Sequence, residues 1–209
     1  MRISTPVRTK FRADGFSMIE VLVVILILSF GMLGIAGLQA NTAKFKINSW
    51  ARSAASVQFS DLADRMRANP NQTGLTFPQA GSATSASGYT LADTWSAQQA
   101  ADLTITTDCL ATVCTGEQRA AYDMLVWRTD VRRMFPQGAA IVSGNRAAGI
   151  TATIAWFDGQ FLKADGKTSE TPDACPANPA GVAPAALISC CPQALVSAGV
   201  RCTNISFVP

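Results

Sequence analysis

The stretch GFSMIEVLVVILILSFGMLGIAGLQA, residues 15–40, decides how the rest of the chain is read. Residues 21–40 carry no charge. As a helix they span roughly 30 Å, the thickness of a bilayer's hydrocarbon core. Glu20 sits at the entrance of this run. A carboxylate within an apolar membrane helix costs about 2.5 kcal/mol or more near the centre and less near an end. A plain anchor has no use for it.

The flanks sharpen the question. Residues 1–15 hold Arg2, Arg8, Lys10 and Arg12 against one acid, Asp14. The net charge of the whole chain is +3, so the remainder is neutral and carries no broad nucleic-acid footprint. By the positive-inside rule, the basic tail faces the cytoplasm and the bulk of the chain lies on the far side. A cleaved secretory signal would be shorter and would end in an A-x-A-like site. Leu38-Gln39-Ala40 matches that poorly.

Helical pattern continues beyond the apolar run, with no proline between Pro6 and Pro70. Ile47, Trp50, Ala51, Ala54, Ala55, Phe59, Leu62 and Met66 form a stripe at helical spacing, while Arg52, Asp61, Asp64, Arg65 and Arg67 take much of the rest. The pattern predicts one helix of about 50 residues, roughly 75–80 Å long at 1.5 Å per residue, stopping near Asn69-Pro70. Gly31, Gly34 and Gly37 recur every third residue. They permit close packing between membrane helices, and they also weaken the helix enough for it to loosen.

Residues 71–100 read as a long loop with a short strand near Tyr89–Leu91. A second helix is predicted over 115–135. Thr115 is its cap, Gln118 reaches back, and Tyr122, Leu125, Val126 and Thr129 face inward. Strands follow at 139–143 and 149–158, and Asp158-Gly159 signals a hairpin into Phe161-Leu162. An antiparallel sheet on the long helix would bury the stripe, which makes the chain α+β. Residues 165–209 are Pro-rich and loop-rich.

The cysteines are Cys109, Cys114, Cys175, Cys190, Cys191 and Cys202. There is no histidine and no CxxC pair, so a metal site is not expected. In an exported domain, disulfides are. Cys109 and Cys114 would close a small loop ahead of the second helix. Cys175 and Cys202 would each take either Cys190 or Cys191.

The leader and helix resemble those of type IV pilins: a basic leader ending in Gly15, aromatic Phe16, and Glu20 as the fifth residue counted from Phe16. The resemblance implies cleavage between Gly15 and Phe16 by a prepilin peptidase and N-methylation of Phe16. It implies that Glu20 pairs with the new amino terminus of a neighbouring subunit during assembly. Two further stretches, SDLADRMRANP (60–70) and CLATVCTGEQRAAYDMLVW (109–127), resemble PilV-type minor pilins.

The implied organisation is a leader at 1–15, a membrane half of the long helix at 16–42 and an amphipathic half at 43–69. A globular domain at 70–164 and a C-terminal extension at 165–209 complete it, in a ladle-like pilin fold. The implied function is a non-catalytic minor pilin of a type IV pilus. It would help prime fibre assembly at the inner membrane and sit near the tip, supporting twitching motility and adhesion. The implied partners are other minor pilins, the major pilin, a large tip protein, the prepilin peptidase and the inner-membrane assembly platform. The C-terminal domain would be periplasmic. No cofactor is expected, and no GxxxxGK[ST] loop or histidine base points to an enzyme.

Two alternatives remain. One is a minor pseudopilin of a type II secretion system, which shares the leader and Glu20. The other is an adhesin or DNA-binding pilin, for which Arg128, Arg132 and Arg133 offer a small basic cluster. The bland reading of that cluster is a solvated helix end where cations suit the dipole, and no nucleic-acid partner is expected.

Overall fold

A computed structural model describes residues 15–73, 87–146 and 149–209. Apart from Gly15, the leader lies outside these, as does much of the loop expected at 71–100. The chain divides into two units, 1–46 and 47–209. Helix α1 (Met18–Ala68) has 51 residues and enters both. It ends where the next residues are Asn69 and Pro70, since the residue before proline is driven out of the helical region.

In the first unit the apolar part of α1 is exposed along its length. Met18–Gln39 is, among the described residues, the one helix stretch long and apolar enough to cross a membrane.

The second unit is built around a three-stranded antiparallel sheet in the order β1 (Ala139–Asn145), β2 (Gly149–Phe157), β3 (Val200–Phe207). Helix α2 (Trp95–Ala100) and helix α3 (Gly116–Met134) precede it, and helix α4 (Pro184–Ser189) lies between β2 and β3. Thr115 caps α3 in a reciprocal capping box with Gln118. The chain leaves α3 and turns directly into β1 past Gly138. A Cβ there would collide with the carbonyl of Val131, so only glycine lets the strand start this close to the helix.

Each face of the sheet meets its own core. On one face Ala140, Val142, Ile150, Ala152, Ile154 and Trp156 pack with Ala51, Ala55, Phe59, Leu62 and Met66 of α1 and with Ala120, Met124, Trp127 and Val131 of α3. Burying each large apolar side chain stabilises by about 1.5–3 kcal/mol. The indole N–H of Trp127 donates to the Gln58 carbonyl at 2.9 Å, fixing α3 along α1. On the other face Ala139, Ile141, Ala155, Val200 and Cys202 pack with Cys191 and Leu195, and Trp95 leans against them.

Three sequence expectations change. The Asp158-Gly159 turn forms, and Gln160 N–H donates to the Asp158 carboxylate at 2.9 Å. It does not lead into the sheet: Leu162 bridges Ser169, and β2 pairs instead with β3 from the C-terminal stretch. That stretch is loop-rich up to Gly199 and then supplies a full strand. The inward face of α3 is also rotated. Ala120, Tyr122, Asp123, Met124, Trp127 and Val131 are buried, so Tyr122 lies inward as expected, whereas Leu125, Val126 and Thr129 are only half-buried. The helix turns so that an acid, Asp123, faces inward, because that acid has partners there. Finally, Trp50 of the expected stripe is half-exposed and stacks at 6.1 Å on Phe135.

Candidate functional site

Gly15, Phe16 and Ser17 are exposed and non-helical, and α1 starts at Met18. The Ser17 carbonyl accepts from Glu20 N–H at 3.0 Å and from Val21 N–H at 3.3 Å, which opens the first turn. The Gly15–Phe16 peptide bond therefore stands just ahead of the helix, outside its hydrogen-bonded turns. Phe16 is 84 % exposed. Glu20 lies in the first turn, where unsatisfied backbone N–H groups favour a carboxylate. It is exposed and makes no ion pair among the described residues. Its charge is available to a cation on another molecule.

Gly31, Gly34 and Gly37 lie within α1, and nothing comes within 4 Å of where a Cβ would stand. Their bare surface is open to a neighbouring helix.

The stretches 60–70 and 109–127 meet in space. Arg65 Nε donates to Asp61 Oδ2 at 2.8 Å, and Arg65 Nη1 reaches Asp123 Oδ1 at 3.4 Å. Arg119 Nε lies 3.7 Å from the same oxygen. Tyr89 donates its hydroxyl to Asp123 Oδ2 at 2.9 Å. Asn69 Nδ2 donates to the Gly116 carbonyl at 2.8 Å at the start of α3. The conspicuous motif at 60–70 is thus a clamp between the ends of two helices. Its Asp61–Arg65 pair, four residues apart on one helix, would by itself be an ordinary surface pair. The signal that could have found the clamp was already in view, since AAYD at 120–123 carries the matching acid. Tyr89 gave no signal of this role.

The basic cluster is consumed internally. Arg128 pairs with Asp93 at 3.5 Å. Arg132 donates to the Ala101 carbonyl at 2.9 Å and to the Gln98 carbonyl. Of the three arginines only Arg133 stands exposed.

Three disulfides form: Cys109–Cys114, Cys175–Cys190 and Cys191–Cys202. Among the described residues no group of three or more His, Cys, Asp or Glu could hold a metal ion.

The family model for the prokaryotic N-terminal methylation motif matches residues 10–36, which takes in Gly15, Phe16 and Glu20. No match was found among curated proteins, and none among solved structures. The motif supports a type IV pilin-like protein, a pilin or pseudopilin, and with it a structural rather than catalytic role. It implies processing by a prepilin peptidase and association with a membrane, and the apolar part of α1 fits inner-membrane anchoring.

Proposed function

We propose that this chain is a minor pilin of a type IV pilus, of PilV type, cut between Gly15 and Phe16 and methylated at Phe16. The observation that carries the reading is the layout of residues 15–20. An exposed, non-helical Gly15–Phe16 bond is followed at once by a membrane-length helix whose first turn holds Glu20, exposed and without an ion pair among the described residues. Cleavage places a cationic amine at Phe16. In lipid each charge is costly alone, and pairing Glu20 with the amine of a neighbouring subunit offsets that cost while fixing the axial stagger. The globular domain is then periplasmic, where its disulfides are stable. It acts with other minor pilins, the major pilin and a tip protein to start the fibre on the assembly platform. Twitching motility and adhesion follow from the fibre rather than from any chemistry here.

The test is the mass of the mature chain from cells with and without the prepilin peptidase, followed by its abundance in sheared surface fibres. A chain beginning at N-methylated Phe16 only when the peptidase is present, and found in fibres, supports the reading. Processed protein that never leaves the membrane, with fibres unaffected by its deletion, favours a secretion-system pseudopilin. An uncut chain sinks both.

A further inference from the structure

A cavity of about 440 Å³ lies within the second unit, between α1, the start of β3 and the segment that joins β2 to β3. Ligand pockets commonly measure about 300–1,000 Å³. Phe161, Pro176, Val182 and Ala186 give this one an apolar wall. The wall is held from behind. Cys190 is bridged to Cys175, and Cys202 to Cys191. Asn204 Nδ2 donates to the Leu187 and Cys190 carbonyls at 2.7 and 2.9 Å, which ties α4 to β3. Cys191 N–H donates to the Asp173 carbonyl at 2.9 Å, and Cys175 N–H to the Cys191 carbonyl at 2.8 Å. A cavity braced in this way needs little ordering when it is filled.

Three charged side chains also line it: Arg52, Asp173 and Arg201. The Arg201 guanidinium lies over the Phe161 ring, 4.2 Å from its centroid, and its Nε donates to Asp158 Oδ2 at 2.7 Å. Its two terminal nitrogens have no hydrogen-bond acceptor among the described residues. Arg52 is exposed and, like Asp173, makes no ion pair among the described residues. Guanidinium donors without acceptors, set beside an apolar wall, suit a carboxylate that carries an apolar group. Asp173 narrows the choice. It repels a polyanion, and it offers an acceptor to an N–H close to the bound carboxylate. The last residue of a peptide presents all three features: a free carboxylate, a side chain and its own amide N–H.

We propose that this cavity binds the free C-terminus of a peptide whose last side chain is apolar. The carboxylate meets Arg201 and Arg52, the side chain packs against Pro176, Val182 and Ala186, and the amide N–H turns toward Asp173. The proposal does not rest on the pilin reading.

The test uses the full-length chain in non-ionic maltoside micelles and a fluorescein-labelled peptide, Gly-Gly-Ala-Leu with a free carboxylate, followed by fluorescence anisotropy. Saturable binding is expected. The same peptide ending in an amide should bind about tenfold more weakly or worse, because the charge-assisted bonds are lost. Arg52→Gln breaks no ion pair among the described residues, so it should weaken binding about tenfold while thermal unfolding stays unchanged. Ala186→Trp, at an exposed position of α4, fills the cavity and should abolish binding. Acetyl-leucine should displace the labelled peptide at concentrations where isocaproate, the same apolar carboxylate without the amide N–H, does not. No saturable binding, equal binding of acid and amide, or binding undiminished by either substitution would overturn the proposal. Isocaproate competing as well as acetyl-leucine would give the cavity to a small apolar acid and overturn it too.

Discussion

The hydroxyl of Tyr89 and the carboxylate of Asp123 meet at 2.9 Å with both residues buried, and Arg65 of α1 closes on the same carboxylate at 3.4 Å. A loop, α3 and the end of α1 are thus tied at one acid. Asp123→Ala leaves a buried hydroxyl and an arginine without their partner. It should destabilise the second unit by about 2–3 kcal/mol, read from urea unfolding.

The same contact sets an alkaline limit. Burial, reinforced by the neighbouring Asp123 carboxylate, pushes the Tyr89 phenol well above its ordinary value of 10.0. A raised folded value means that the stabilisation is fully present below pH about 10 and is lost as pH rises beyond it. Tyr89 and Tyr122 are the two tyrosines of the chain. In a Tyr122→Phe background, the phenolate absorbance of Tyr89 should appear together with the loss of near-ultraviolet ellipticity. A phenolate that forms at ordinary pH in a folded protein would contradict this.

Gln98 stands in for a strand. It is buried, bonds both backbone groups of Ala140, and also donates to the Asp93 carbonyl at 2.8 Å. Gln98→Ala should cost about 1–3 kcal/mol and speed amide exchange at Ala140, because a buried donor and acceptor lose their partners.

The disulfides should not be equal. Cys191 and Cys202 sit in the second core, whereas Leu110 and Val113 in the Cys109–Cys114 loop are exposed. Loop closure alone separates the two bridges by only about 0.7 kcal/mol. The larger difference comes from burial. Replacing Cys191 and Cys202 by serine should cost about 3–5 kcal/mol, since it also leaves hydroxyls in an apolar site. The same change at Cys109 and Cys114 should cost about 2 kcal/mol. Thermal unfolding of the two double variants checks the order.

On the proposed function, Glu20→Ala should leave the second unit's unfolding curve unchanged while the variant's recovery in sheared fibres falls tenfold or more, about 1.4 kcal/mol or more of assembly energy. Normal recovery would remove Glu20 from the assembly role.

What the sequence disclosed was local. The apolar run, the stop at Asn69-Pro70, the Thr115 cap and the alternation along Gly149–Phe157 are each written within a few turns of chain. What it withheld was pairing at a distance. VRCTNISF was hidden in a stretch that its prolines make read as loop, and its far side packs on a bridged loop rather than on a continuous apolar layer. The Asp158-Gly159 turn offered a nearer partner that the chain does not use. The inward place of Asp123 was not legible because an acid is placed inward only when partners from elsewhere, here Tyr89 and Arg65, come to meet it. Gln98 belongs to the same class. At the N-terminal site the pattern of Gly15, Phe16 and Glu20 was legible as far as the methylation motif that residues 10–36 match, because that pattern lies in spacing alone.

The separation of β2 from β3 has a consequence in time. Forty-two residues, 158–199, lie between the end of one and the start of the other. At a synthesis rate of about 5–20 residues per second, the long helix, α3 and the β1–β2 hairpin emerge seconds before the strand that completes them. For that interval β2 offers its whole β3-facing edge, and Cys191 and Cys202 are unpaired. The slow, high-contact-order step of folding is therefore the arrival of β3. Any factor that holds the chain during synthesis has this half-built sheet, rather than an unfolded polymer, to protect.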